Sequence, residues 1–156
     1  MPVNYNLDEI FQMAEQIEKN GKEFYESSAA SISDPEKKKM LISLAKMEEK
    51  HIERFAKMRK KLQDIEIDNF DPENEASMYL SAMANTKVFF EKTIDTTSME
   101  SILKEAIISE KDSIAFYLGM KDLVPEELGK DNIDEIIKEE MRHITFLSNE
   151  LTNLNK

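Results

Sequence analysis

The chain has 156 residues, about one domain's worth, with 32 acidic against 21 basic side chains and a formal net charge of −11. That balance argues against a phosphate-binding surface for nucleic acid and leaves no basic cluster for an anionic membrane. The absence of cysteine excludes disulfides, zinc ribbons, thiolate iron centres and thiol nucleophiles.

Three glycines and four prolines leave little material for turns, so long helices are expected. The opening stretch MPVNYNLDEIF has no apolar core of a secretory signal. No run approaches the roughly 18 apolar residues of a membrane span, and a soluble cytoplasmic protein is expected. Helix one should run from Leu7 to Ile32, capped by Asn6 with Glu9 three residues on. Its apolar stripe reads Leu7, Ile10, Ala14, Ile17, Gly21, Phe24, Ser28 and Ile32. Ser33-Asp34-Pro35 ends it, with Asp34 as the next cap and Pro35 in the first turn of helix two. Helix two then extends to Leu62, directing Leu41, Leu44, Glu48, His51, Ile52, Phe55, Met58 and Leu62 inward.

Residues 63–97 read as a crossover, turn-rich at first and then helical over Ala76–Lys92. Helix three begins near Ser98, where Thr97 and Glu100 form a capping-box pattern, and runs to Leu123 before the Val124-Pro125 break. Helix four covers Ile133–Leu154, with Glu140 and His143 on its apolar stripe. The expected fold is all-α: hairpins over 7–62 and 98–154 form one four-helix bundle with a single long crossover. A helix of about 26 residues is roughly 39 Å long, and the crossover can recross that length, making helices two and three parallel.

The two halves repeat. His51 and His143, Glu48 and Glu140, Glu18 and Glu110, Tyr25 and Tyr117, Phe24 and Phe116, and Ala14 and Ala106 are all 92 residues apart, as 143 minus 51. Both histidines of the chain therefore follow a glutamate at i, i+3, on one helix face. Residues equidistant from each turn lie level, so each hairpin brings one Glu opposite one Glu-x-x-His. Related by a pseudo-twofold axis, Glu18, Glu48, His51, Glu110, Glu140 and His143 converge at the bundle's centre. Four buried carboxylates are very costly unless paired or metal-bound, and two divalent ions would neutralise them. Oxygen and nitrogen donors without thiolate suit iron or manganese and admit zinc. The bland alternative for a lone Glu-x-x-His is a satisfied core histidine or a solvated face; the matched pair argues against it. For Tyr25 and Tyr117, plain core packing is the rival. Glu49 and Glu139 turn away from the ligand face and are expected on the outside. The ten methionines are expected to fill the core.

The spellings EKNGKEFY, MEEKHIERF, EKDSIAFY and EEMRHITFL resemble the rubrerythrin branch of the ferritin-like di-iron superfamily. The resemblance covers nearly the whole chain and is weakest in the crossover. It implies two iron ions, with Glu18 and Glu110 as terminal ligands and Glu48 and Glu140 as bridges, each bridge with its own histidine. It implies that Tyr25 and Tyr117 hydrogen-bond the ligand carboxylates. The implied activity is reduction of hydrogen peroxide or dioxygen. Rubrerythrins also carry a cysteine-held rubredoxin-type iron, which these residues lack, so electrons would come from an external donor such as rubredoxin. An additional family Glu, one turn after the helix-three ligand, is replaced by Ser113, with Gly21 at the equivalent place in the first half. A homodimer is the expected assembly. Ferrous iron oxidation and storage, or a structural metal in a partner-binding bundle, are the alternative functions.

Overall fold

The computed structural model describes residues 6–62, 75–84 and 98–154. Capping chemistry sets the helix starts. Asn6 Oδ1 accepts the Glu9 N–H at 2.8 Å and opens α1, Leu7–Ser31. Asp34 accepts the N–H groups of Glu36 and Lys37, and Pro35 stands in the first turn of α2, Pro35–Lys61. Within the crossover lies α3, Glu75–Ala84; the remainder of the helix expected over Ala76–Lys92 lies outside the described residues. Ser98 caps α4, Met99–Lys121, by accepting the Ser101 N–H. Thr97, the cap expected there, also lies outside the described residues.

The last helix, α5, spans Lys130–Leu154 and so begins three residues before the expected Ile133. The cause is local. After Pro125, Glu126–Leu128 make one 3-10 turn, and Gly129 follows at φ 103°. That left-handed conformation reverses the chain at little cost only for glycine, and the helix resumes at once.

Contact registers define the topology. Lys22 meets Glu49 and Arg59 meets Glu15, so α1 and α2 are antiparallel. Lys121 meets Asp134 and Glu110 meets His143, so α4 and α5 are antiparallel too. Between the hairpins, Tyr25 meets Glu110 and Tyr117 meets Glu18, while His51 meets Glu139 and Arg54 meets Glu135. Both of these pairings are also antiparallel. Hence α2 and α4 run parallel across the bundle's diagonal, as a long crossover requires.

Two apolar clusters flank the middle of the bundle. One includes Ile10, Phe11, Phe55, Phe116 and Ile133 at the end where α1 and α5 begin. The other includes Leu41, Leu44, Ile102, Leu103 and Leu147 at the opposite end. Each such side chain, fully buried, contributes about 1.5–3 kcal/mol. Phe24 and Ile32 are half-buried, whereas Phe11 and Ala29, outside the expected stripe, are buried. A bundle helix packs against two neighbours, so its apolar face is wider than one seam. Finally, α3 lies on α4: Tyr79 donates to the Ala115 carbonyl at 2.5 Å, and its ring occupies the space a side chain at Gly119 would need.

Candidate metal centre

Between the apolar clusters sits a polar layer. Glu18 projects from α1, Glu48 and His51 from α2, Glu110 from α4, and Glu140 and His143 from α5; all six are buried. They fall into two groups, Glu18–Glu48–His51–Glu140 and Glu48–Glu110–Glu140–His143. Within each group the candidate ligand atoms lie within 4.8 Å of one another. Glu48 and Glu140 belong to both groups, while Glu18 and His51 serve one and Glu110 and His143 the other. Both histidines turn Nδ1 toward the carboxylates. His51 Nδ1 lies 2.8 Å from Glu140 Oε1 and 3.4 Å from Glu18 Oε1. His143 Nδ1 lies 3.5 Å from both Glu110 Oε1 and Glu140 Oε2.

The tyrosines cross between hairpins. Tyr25 Oη donates to Glu110 Oε1 at 2.7 Å, and Tyr117 Oη donates to Glu18 Oε1 at 2.6 Å. Burial, reinforced by the nearby carboxylates, pushes both phenols well above their ordinary range, so each keeps its proton and remains a donor. Gly21 faces the same layer: a Cβ there would stand 3.4 Å from Glu48 Cδ. Ser113 turns its hydroxyl to the Ser109 carbonyl at 2.9 Å.

Glu139 corrects an expectation. Sequence position assigns it to the outer face, yet its side chain is 26% exposed and accepts from His51 Nε2 at 2.5 Å. The reason is cross-helix reach. Glu139 lies 100° from Glu140 on α5, which aims it at the α2 seam rather than at solvent. Arg54 holds it there, contacting Glu139 Oε1 at 3.4 Å and Glu135 Oε2 at 2.7 Å. No motif in α5 marks this residue; only the packing of α2 against α5 does. Its neighbour in kind, Glu49, does face outward and pairs with Lys22 at 2.8 Å.

The protonation pattern follows from burial and crowding. Burial, and then the charge of Glu140, raise Glu18 to about 8. Burial opposes charge on His51, but Glu140 and Glu18 outweigh it and hold the imidazolium up to about 11. Burial likewise opposes charge on Glu140, but His143 and His51 draw it down to about 2. Even so, Glu18 Oε2, Glu110 Oε2, both Glu140 oxygens and Nδ1 of both histidines make no aligned hydrogen bond. Buried polar atoms in native proteins are nearly always satisfied. Once their protons leave, inward-facing carboxylate oxygens and imidazole nitrogens are the donor set of hard-to-borderline divalent metals. The residues therefore fit a metal pair.

A helical bundle with one long crossover and a central carboxylate–histidine layer defines the ferritin-like fold. A crystal structure of a Thermotoga maritima protein, provisionally described as a ferritin-like diiron-carboxylate protein, superimposes with a TM-score of 0.68 at 24% identity, covering 95% of each chain. No protein-family model and no curated protein matches the sequence. No described helix is long and apolar enough to cross a membrane.

Proposed function

We propose that this protein is a rubrerythrin-like di-iron oxidoreductase that reduces hydrogen peroxide or dioxygen. The observation that carries the proposal is the sharing of Glu48 and Glu140 between two four-residue groups. Glu48 and Glu140 would be shared by both ions, while Glu18 with His51 would hold one and Glu110 with His143 the other. Iron bound there supplies two reducing electrons and Lewis acidity toward an O–O bond.

The chain's own residues do the rest. Four carboxylates offset the charge of two divalent ions. The Tyr25 and Tyr117 hydroxyls fix the Glu110 and Glu18 carboxylates by charge-assisted hydrogen bonds. Glu139 fixes the His51 ring through Nε2. The apolar clusters on either side keep bulk water from the layer. The 156 residues contain no cysteine to relay electrons, so a separate donor such as reduced rubredoxin is part of the proposal, as are a homodimeric assembly and a cytoplasmic setting.

Anaerobic reconstitution tests the reading directly. About two ferrous ions should bind per chain, and the loaded protein should react faster with hydrogen peroxide than with dioxygen. It should return to the reduced state only when the donor is supplied. Continued uptake of iron under air into a large soluble particle would instead establish storage, and inertness to peroxide after confirmed loading would establish a structural site.

A further inference from the structure

The internal repeat makes the two halves of the centre equivalent in their ligands, but their surroundings differ. His51 Nε2 is bonded to Glu139, which Arg54 ties to Glu135; Arg54 Nη2 also reaches Asn132 Oδ1 at 3.3 Å. His143 Nε2 is buried and has no hydrogen-bond partner among the described residues. The repeat offset explains the difference. Position 47, equivalent to Glu139, is Met47; position 146, equivalent to Arg54, is Phe146; position 43, equivalent to Glu135, is Ser43. At the equivalent positions the His143 half thus lacks the carboxylate and the arginine that back His51.

We propose that Glu139 is a positioning residue that makes the two metal positions unequal, so that the ion on the His51 side binds first and is held more tightly. The inference rests on the metal-centre reading above. A carboxylate on the far ring nitrogen fixes the tautomer that presents Nδ1 to the metal and raises the basicity of that nitrogen. It also keeps the ring from rotating. Removing such a partner typically weakens metal affinity about 10–100-fold, and the same factor should separate the two sides once the proton that the His51 ring gives up to the metal is counted. Bridged ions repel, so two-step binding alone would carry no information. Which side fills first, and whether Glu139 decides it, does.

The chain has only two histidines, which makes the order directly visible. Metal-free protein with 15N-labelled histidine is titrated with zinc, a diamagnetic probe, and the ring nitrogens are followed by NMR. His51→Gln and His143→Gln variants assign the signals. The His51 Nδ1 signal should shift in the first equivalent and the His143 signal in the second. Glu139→Gln, which keeps the shape but removes the charge, should bring the two steps together by weakening the first about 10–100-fold. Glu139→Asp should restore part of the order, and Met47→Glu should strengthen the His143 side. Simultaneous shifts in the wild type, His143 filling first, or an unchanged order in Glu139→Gln would each overturn the proposal while leaving the metal centre standing. No zinc-dependent shift at either ring would overturn the metal centre itself.

Discussion

Filling the centre with metal must expel protons, and the number can be worked out. A metal-ligating imidazole is neutral and a ligating carboxylate ionised. In the metal-free protein at pH 7, His51 with a pKa of about 11 is fully protonated. Glu18 is raised to about 8 by burial and then by the charge of Glu140, and because its carboxylate also helps hold the His51 proton the two groups titrate as a pair. Adding two equivalents of manganous ion should therefore release at least about one proton from this pair. At pH 9 more of the Glu18 carboxyl is ionised beforehand, and the release should be smaller than at pH 7. The affinity of the His51 side should rise steeply with pH below 8 and less steeply from there to 11. Calorimetry in buffers of different ionisation enthalpy counts the protons, and an unbuffered pH-stat titration checks the count. Release of fewer than about one proton at pH 7, or the same release at pH 7 and 9, would show that the buried layer is not held protonated as its geometry requires.

Metal-free stability should depend on pH in a definite direction. Folding raises Glu18 from 4.5 to about 8 and His51 from 6.5 to about 11, so their stabilisation is complete at low pH and is lost as pH rises through those windows; Glu140, lowered from 4.5 to about 2, acts oppositely and is lost in acid. Urea midpoints of metal-free protein should thus peak near about pH 5 and decline toward pH 11; a maximum above pH 8 would contradict the assignment. Tyr25→Phe and Tyr117→Phe should each destabilise the metal-free protein by about 1–3 kcal/mol in urea denaturation, because each strips the one phenolic donor from a buried carboxylate. Gly119→Ala should lower Tm, because displacing the Tyr79 ring and breaking its bond to Ala115 costs about 1–3 kcal/mol against the roughly 1 kcal/mol that alanine gains inside a helix. An unchanged Tm would mean that the Tyr79 contact is worth no more than the roughly 1 kcal/mol that alanine gains over glycine inside α4.

The bundle and its central layer were legible in the sequence because they rest on periodicity. Three- and four-residue spacing, the caps Asn6 and Asp34, and a fixed 92-residue offset are properties of the chain read along itself. Glu139 was not legible because its role depends on which neighbour α5 meets. One step of 100° from a ligand points outward on an isolated helix but into a seam in a bundle. The start of α5 was missed for a different reason: the apolar stripe begins at Ile133, whereas the hydrogen-bonded helix begins where Gly129 permits the turn. Phe11 was likewise passed over, since a single stripe describes packing against one partner and α1 has two.

Each four-residue group of the candidate centre takes three residues from one hairpin and one from the other: Glu140 reaches across to join Glu18, Glu48 and His51, and Glu48 reaches back to join Glu110, Glu140 and His143. Neither hairpin can complete a site by itself, yet two copies of either one could, each lending its bridging carboxylate to the other. A metal ion held by either group would be a clasp across the seam between the halves. Ion affinity and hairpin docking are then one equilibrium seen from two sides, and a chelator should act on this protein as a wedge.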